Sequence, residues 1–229
     1  MIAIIMAGGE GRRLLPLTET TPKPMLPVGG VPVIETIVRR LDAAGCTTIY
    51  VVVRHLHERI IGHCFGRPVG YLLEPEPYGT AGGLSLLPAN ARPTEPFLVV
   101  NADILCPIDF AAFRDWHIAE GNALSLVGRE HTYMLPYGYP IVYTAKETSA
   151  VMDFREKPTF MYRVNSGIYC LDPVLLDAVP RGYFDMPDLI RWACARATVG
   201  LYPLTVPFHE IGSLESYAAA EAFYERWMR

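Results

Sequence analysis

Apolar residues run unbroken from Met1 to Met6 and stop at Ala7-Gly8-Gly9-Glu10-Gly11, a pattern that predicts a buried strand entering a glycine loop. Pro16, Pro22, Pro24 and Pro27 keep a helix from starting in the next stretch. What remains is a long proline-punctuated loop, a kind that tends to carry function. Val33 to Ala44 has helical periodicity and stops at Gly45, a good helix-ending residue. Strands are then expected at Thr47–Val53, Val69–Leu73 and Phe97–Val100, with helices at His55–Phe65, Thr80–Leu87 and Asp109–Ala119. Alternation of this sort predicts a parallel sheet with helices on both faces.

Beyond residue 121 the rhythm changes. Strand patterns at Ala123–Arg129, Ile141–Thr144, Val151–Arg155 and Val164–Cys170 are separated by turn-rich segments. Short helices are expected at Pro173–Ala178 and Met186–Arg196, and a strand near Val199–Leu204. Ser213–Met228 reads as an amphipathic helix opened by a serine cap. No repeat, low-complexity segment or flexible linker interrupts the pattern. The chain is therefore expected to be one α/β domain of residues 1–229 whose two halves, about 1–120 and 121–229, share a sheet.

Composition narrows the function classes. Of 229 residues, 51% are hydrophobic, enough for a sizeable core. Twenty Lys and Arg stand against 24 Asp and Glu, a net charge of −4 that argues against a general nucleic-acid binder. The charges Arg12 and Arg13 follow the apolar start rather than precede it, and the run is too short to span a bilayer, so no membrane role is expected. Five scattered cysteines fit neither a disulfide framework nor a zinc site. They read as reduced apolar residues of a cytoplasmic protein.

A strand feeding Gly8-Gly9-Glu10-Gly11 suggests phosphate binding, because glycines let backbone N–H groups close on anionic oxygens. Leu14 and the prolines deny the dinucleotide fingerprint, and the Gly-Lys-Ser/Thr of a P-loop is absent. This is a third kind of loop, with Arg13 past the glycines and Lys23 held between Pro22 and Pro24. Taken singly, Asp103 at a strand end is as readily a turn cap as a ligand. Lys157 alone reads as a turn lysine, and Asn165 as a residue that satisfies a strand edge.

Together these residues resemble the sugar-1-phosphate nucleotidyltransferases. The likeness is carried by Met6-Ala7-Gly8-Gly9-Glu10-Gly11-Arg12-Arg13-Leu14, Pro16-Leu17-Thr18 and Thr21-Pro22-Lys23-Pro24-Met25-Leu26-Pro27-Val28. It continues through Gly79-Thr80-Ala81-Gly82, Asn101-Ala102-Asp103, Glu156-Lys157-Pro158, Asn165-Ser166-Gly167-Ile168-Tyr169 and Glu210-Ile211-Gly212. The resemblance implies a GT-A-like, Rossmann-related three-layer sandwich with a mixed, mostly parallel central sheet. It also implies in-line attack of a sugar phosphate oxygen on the α-phosphorus of an NTP, chemistry that is mostly positioning and charge neutralisation.

By match to the family motifs, Ala7, Gly8, Gly9 and Gly11 cradle the nucleotide together with Gly79, Thr80, Ala81 and Gly82. Arg13, Lys23 and Lys157 are the catalytic cations. Asp103 and Glu210 hold Mg2+, and Gly138, Glu156 and Asn165 meet the sugar. The first half is thus expected to bind the nucleotide and the second the sugar phosphate.

Three positions depart from the family pattern. Arg12 stands where a small or polar residue is usual, Glu210 where aspartate is usual, and Ala102 where glycine or serine is usual. The stretch Gly79 to Pro88 resembles the guanylyltransferase branch, as does Tyr183-Phe184-Asp185-Met186-Pro187-Asp188-Leu189, so GTP and a sugar 1-phosphate are the expected substrates. A uridylyl- or thymidylyltransferase is the alternative within the family. A catalytically weak nucleotide-sugar sensor is the alternative outside it, and self-association is left open. No hexapeptide-repeat tail follows the last helix, so no acyltransfer function is expected.

Overall fold

The computed structural model describes residues 1–135, 141–144 and 150–229. The chain runs through β1 (Ile2–Met6), β2 (Pro27–Val28), β3 (Val31–Pro32), α1 (Val33–Ala43), β4 (Thr48–Val53), α2 (His57–Ile61) and β5 (Gly70–Leu73). It continues with β6 (Phe97–Asn101), β7 (Ile104–Leu105), α3 (Phe110–Ala119), β8 (Leu124–Met134), β9 (Ile141–Thr144), β10 (Val151–Arg155) and β11 (Thr159–Leu171). Last come α4 (Met186–Cys194), β12 (Val199–Pro203), β13 (His209–Glu210) and α5 (Leu214–Trp227).

Seven strands form one sheet in the order β12-β8-β11-β6-β1-β4-β5. β1 is parallel to both β4 and β6, β4 to β5, and β8 to β12. β11 alone in this sheet runs against its neighbours, β6 and β8. Strands from both halves of the chain therefore share the sheet, and β11 inserts the second half beside β6.

The apolar run of β1 is central because it is buried between parallel neighbours on both edges. α1 buries Ile34, Ile37, Val38 and Leu41, spaced three and four apart, and Gly45 follows it with φ 84°. Asp109 caps α3 by accepting from the Ala112 N–H at 2.9 Å. Ser213 caps α5, where Ser216 rather than a glutamate completes the reciprocal box. One apolar cluster packs α1, α3 and α5 against one face of the sheet; a second packs α4 and the segment Gly82–Leu86 against the other. Cys46, Cys106 and Cys170 are buried in these clusters, and burial pushes their thiols up to about 11, 11 and 12.

Three expected helices are corrected. His55–Phe65 forms only the five residues of α2, because Leu56 takes a left-handed φ of 50° before it and Gly62 ends it. Thr80–Leu87 is a 3-10 turn over Gly82–Leu86, since its start is pulled out of helical geometry by bonds to Phe184. Pro173–Ala178 is likewise 3-10. The strands around residues 123–129 and 164–170 are longer than expected. β8 and β11 run on past Gly128 and Asn165 as a two-stranded ribbon to Met134 and Thr159.

Candidate active site

The carboxyl ends of β1, β5 and β6 meet at Met6, Glu74 and Asn101, around a cavity of about 480 Å³. Open α/β sheets bind ligands at this edge, where loops diverge and backbone groups lose their strand partners. Ala7, Gly8, Gly9 and Gly11 line one side. Gly8 packs closely on Glu74, whose Oε2 would lie 2.6 Å from a Cβ there, so a larger residue would have to displace that carboxylate. The loop then tightens into 3-10 turns at Arg12–Leu14 and Lys23–Met25, the second with Pro24 in its first turn. These turns bring Arg13 and Lys23 back onto the cavity wall.

Asp103 lies just past β6, where it also lines the cavity, and its Oδ2 is ion-paired with Lys23. Its Oδ1 is buried with no hydrogen-bond partner. A buried carboxylate oxygen with no donor is costly unless something cationic reaches it. Glu210 arrives by a separate route. β13 pairs with β7 so that Glu210 stands opposite Ile104, and the Ile211 N–H donates to the Asp103 carbonyl at 2.9 Å. The Glu210 Oε1 and the Arg13 guanidinium flank Gly212, at 3.4 and 3.6 Å from its Cβ position. Among the described residues no group of three or more His, Cys, Asp or Glu converges to hold a metal. The bare Asp103 oxygen suits Mg2+, which is commonly held by one or two carboxylates while substrate phosphates and water complete its shell; Glu210 is exposed and is not among the residues lining the cavity.

The loop at Gly79–Gly82 divides. Gly79 and Thr80 line the cavity. Ala81 and Gly82 are buried behind it, and their N–H groups are taken by the Phe184 carbonyl, at 3.0 and 2.9 Å. Asn165 sits at the irregularity in β11. Its Oδ1 accepts from the Gly167 N–H, and its Nδ2 donates to the Tyr169 hydroxyl at 2.6 Å. Burial raises the Tyr169 pKa, and the nearby Asp103 charge adds to the rise. Asn165 is thereby linked to the Asp103 neighbourhood without itself lining the cavity. Exposed Glu156 and half-buried Lys157 lie between β10 and β11, outside the cavity lining. Lys157 has a φ of 48°. Gly138 lies outside the described residues.

Sequence reasoning passed over Glu74 and Arg54, and it read Tyr183 and Asp185 only as a branch likeness without a site role; all four line the cavity. Glu74 is 5% exposed, and burial pushes its carboxyl up to about 7 against the opposing pull of Arg54. Arg54 Nη2 donates to Glu10 at 3.1 Å and its Nε lies 4.0 Å from Glu74. Arg12 also lines the cavity, at its edge, with 82% of its side chain exposed, and it donates to Glu10 at 2.7 Å. The only advance sign of Glu74 was a carboxylate closing an apolar strand just before the turn Pro75-Glu76-Pro77.

Residues 2–226 match the family model described as Nucleotidyl transferase. The chain is 34% identical to a mannose-1-phosphate guanyltransferase of Kluyveromyces lactis and 36% identical to that of Schizosaccharomyces pombe. Each alignment covers 188 residues, 78% of this chain and 52% of the relative. The chain thus spans about half the length of these relatives. The structure of HddC from Yersinia pseudotuberculosis complexed with GMP-PN superposes with a TM-score of 0.73 at 23% identity, covering 97% of this chain and 99% of that one. That likeness fixes the fold. Among the described residues no helix is long and apolar enough to cross a membrane.

Proposed function

The chain belongs to the nucleotidyl transferase family, and from that premise we propose that it transfers the nucleoside monophosphate of GTP to a sugar 1-phosphate. The nucleophile is a phosphate oxygen of the sugar phosphate. As its bond to the α-phosphorus forms, the α–β anhydride bond breaks and the electron pair leaves on pyrophosphate. The reaction asks the protein to bring two anions together and to oppose charge growing on the leaving group.

The observation that carries this reading is the convergence at one cavity of the glycine loop, Arg13, Lys23 and an Asp103 oxygen that lacks a partner. Gly8 to Gly11 offer backbone N–H groups to phosphate oxygens, while the Ala7 N–H is taken by the Val52 carbonyl. Arg13 and Lys23 offset the charge of the departing pyrophosphate. Asp103 and Glu210 are the residues that would hold Mg2+, which when bound screens the triphosphate charge against the incoming anion. Lys157, Glu156 and Asn165 serve the sugar phosphate from the ribbon side. The relatives' names support a hexose such as mannose as the sugar.

Glu74 supports guanine as the base. Ionised, it presents two acceptor oxygens. Guanine presents adjacent donors, N1–H and the exocyclic amine, on one edge. Adenine has an acceptor at the corresponding ring nitrogen, and uracil and thymine offer a single donor there.

The test is a screen of four NTPs against a panel of sugar 1-phosphates, read by pyrophosphate release in Mg2+. GTP with a hexose 1-phosphate is expected to turn over fastest. Asp103→Asn is expected to lower kcat by about 10²-fold or more while circular dichroism stays unchanged. Near-normal kcat for that variant at saturating Mg2+ overturns the assignment.

A further inference from the structure

The segment Gly182–Met186 packs against the nucleotide loop through bonds that a connecting turn does not need. Besides the two bonds to the Phe184 carbonyl, the Phe184 N–H donates to the Tyr78 carbonyl at 2.9 Å. Gly82 has no room for a side chain, because a Cβ there would meet the Gly182 carbonyl oxygen at 2.1 Å. The two loops are thus fitted to each other along their backbones.

Asp185 adds a side-chain link. It stands at the position where an aspartate usually caps the following helix, α4, yet its carboxylate makes no cap bond. Its Oδ1 instead accepts from the Thr80 N–H at 2.9 Å and the Thr80 hydroxyl at 3.0 Å, across 105 residues of sequence. The Thr80 hydroxyl in turn accepts from the Met186 N–H at 2.8 Å, so the nucleotide loop caps the helix. The other carboxylate oxygen, Oδ2, accepts from the Tyr183 hydroxyl at 2.7 Å. The Tyr183 hydroxyl holds the Asp185 carboxyl below its ordinary range, and burial opposes this.

Tyr183 is therefore tethered at its polar tip while the residue stays 68% exposed on the cavity lining. A fixed, uncovered aromatic face in a pocket suits a flat apolar ligand, and bases stack on such faces whatever their identity. Glu74, which reads the edge of a base, lines the same cavity.

We propose that Gly182–Met186 is the second wall of the nucleotide site, with Tyr183 as the surface on which the base stacks. Asp185 is the positioning residue that holds the Tyr183 ring and the Gly79–Thr80 turn in one arrangement. This inference rests on the nucleotidyl-transfer reading of the cavity. It divides the labour between Glu74, which selects the base, and Tyr183, which binds any base.

Calorimetric titration with GTP and with inorganic tripolyphosphate, which has no base, tests the wall directly. Tyr183→Ala is expected to weaken GTP binding by about 10-fold and to leave tripolyphosphate binding unchanged. Tyr183→Phe keeps the ring and loses the bond to Asp185, so it is expected to fall between wild type and Tyr183→Ala. In pyrophosphate-release assays Asp185→Ala is expected to raise the KM for GTP with the sugar phosphate KM unchanged. Asp185→Asn is expected to restore most of it, because the amide oxygen still accepts from Thr80. Equal GTP affinity in wild type and Tyr183→Ala overturns the stacking role. A parallel fall in kcat and rise in both KM values for Asp185→Ala, without rescue by Asn, overturns the positioning role. Wild type that binds GTP without turnover with any sugar phosphate defeats the transferase reading instead, and the wall then stands or falls by the affinities alone.

Discussion

Glu74 answers to two opposed demands. Ionised, it would accept from a guanine edge as proposed, but burial beside Gly8 and Gly83 disfavours the charge and pushes the carboxyl from 4.5 up to about 7. Because the folded pKa lies above the unfolded one, this group's stability contribution is complete below about 4.5 and is lost as pH rises through about 7. Binding runs the other way: the KM for GTP is expected to rise as pH falls below about 7, as the acceptor pair disappears. Glu74→Gln separates the two effects. The amide carries no charge, so the variant is expected to melt about 4 °C or more above wild type at about pH 8, with the difference closing in acid. It also replaces one acceptor by a donor, which fits the N3–H and neighbouring carbonyl of uracil. The ratio of kcat/KM for GTP over UTP is expected to fall by about 10-fold or more. An unchanged ratio would remove Glu74 from base selection.

At the scale of elements, the short turn Arg12–Leu14 sets two adjacent arginines on the cavity wall with different partners. Arg12 lies at the exposed edge and bonds to Glu10, while Arg13 lies against Gly212. Arg13→Ala is expected to lower kcat by about 10²-fold, on the scale of losing a fixed donor to developing charge. Arg12→Thr is expected to stay within about threefold of wild type, as an exposed ion pair should. A larger loss at Arg12 would reverse these roles. Such a loop is legible in sequence because its glycines, prolines and cations are contiguous and each restricts the backbone in a known way. The helix expected from His55 was not, because its apolar spacing was right and a left-handed Leu56 is invisible to periodicity. The turn after Thr80 misled for a related reason. Its bonds go to Phe184, a partner that no local pattern reveals.

Across the whole molecule, the alternation of strands and helices made the parallel part of the sheet legible, since each unit is local. The residues that complete the cavity are not local. Lys23 reaches Asp103 across 80 positions and Thr80 reaches Asp185 across 105. Outside the lining itself, the backbone of Glu210 is set near Asp103 by the two-residue ladder of β13 on β7. That ladder has a consequence for how the molecule comes into being. Closing so long a loop costs entropy that a two-residue ladder repays poorly, so it should form late, once β11 has already joined the sheet. During refolding from denaturant, far-ultraviolet circular dichroism is expected to recover before pyrophosphate release does. Activity returning in step with the helical signal would show that the ladder forms early. A chain emerging from the ribosome would then have its phosphate loop folded, and Asp103 in place, well before Glu210 arrived. Until then the cavity would carry only one of the two carboxylates proposed to hold Mg2+.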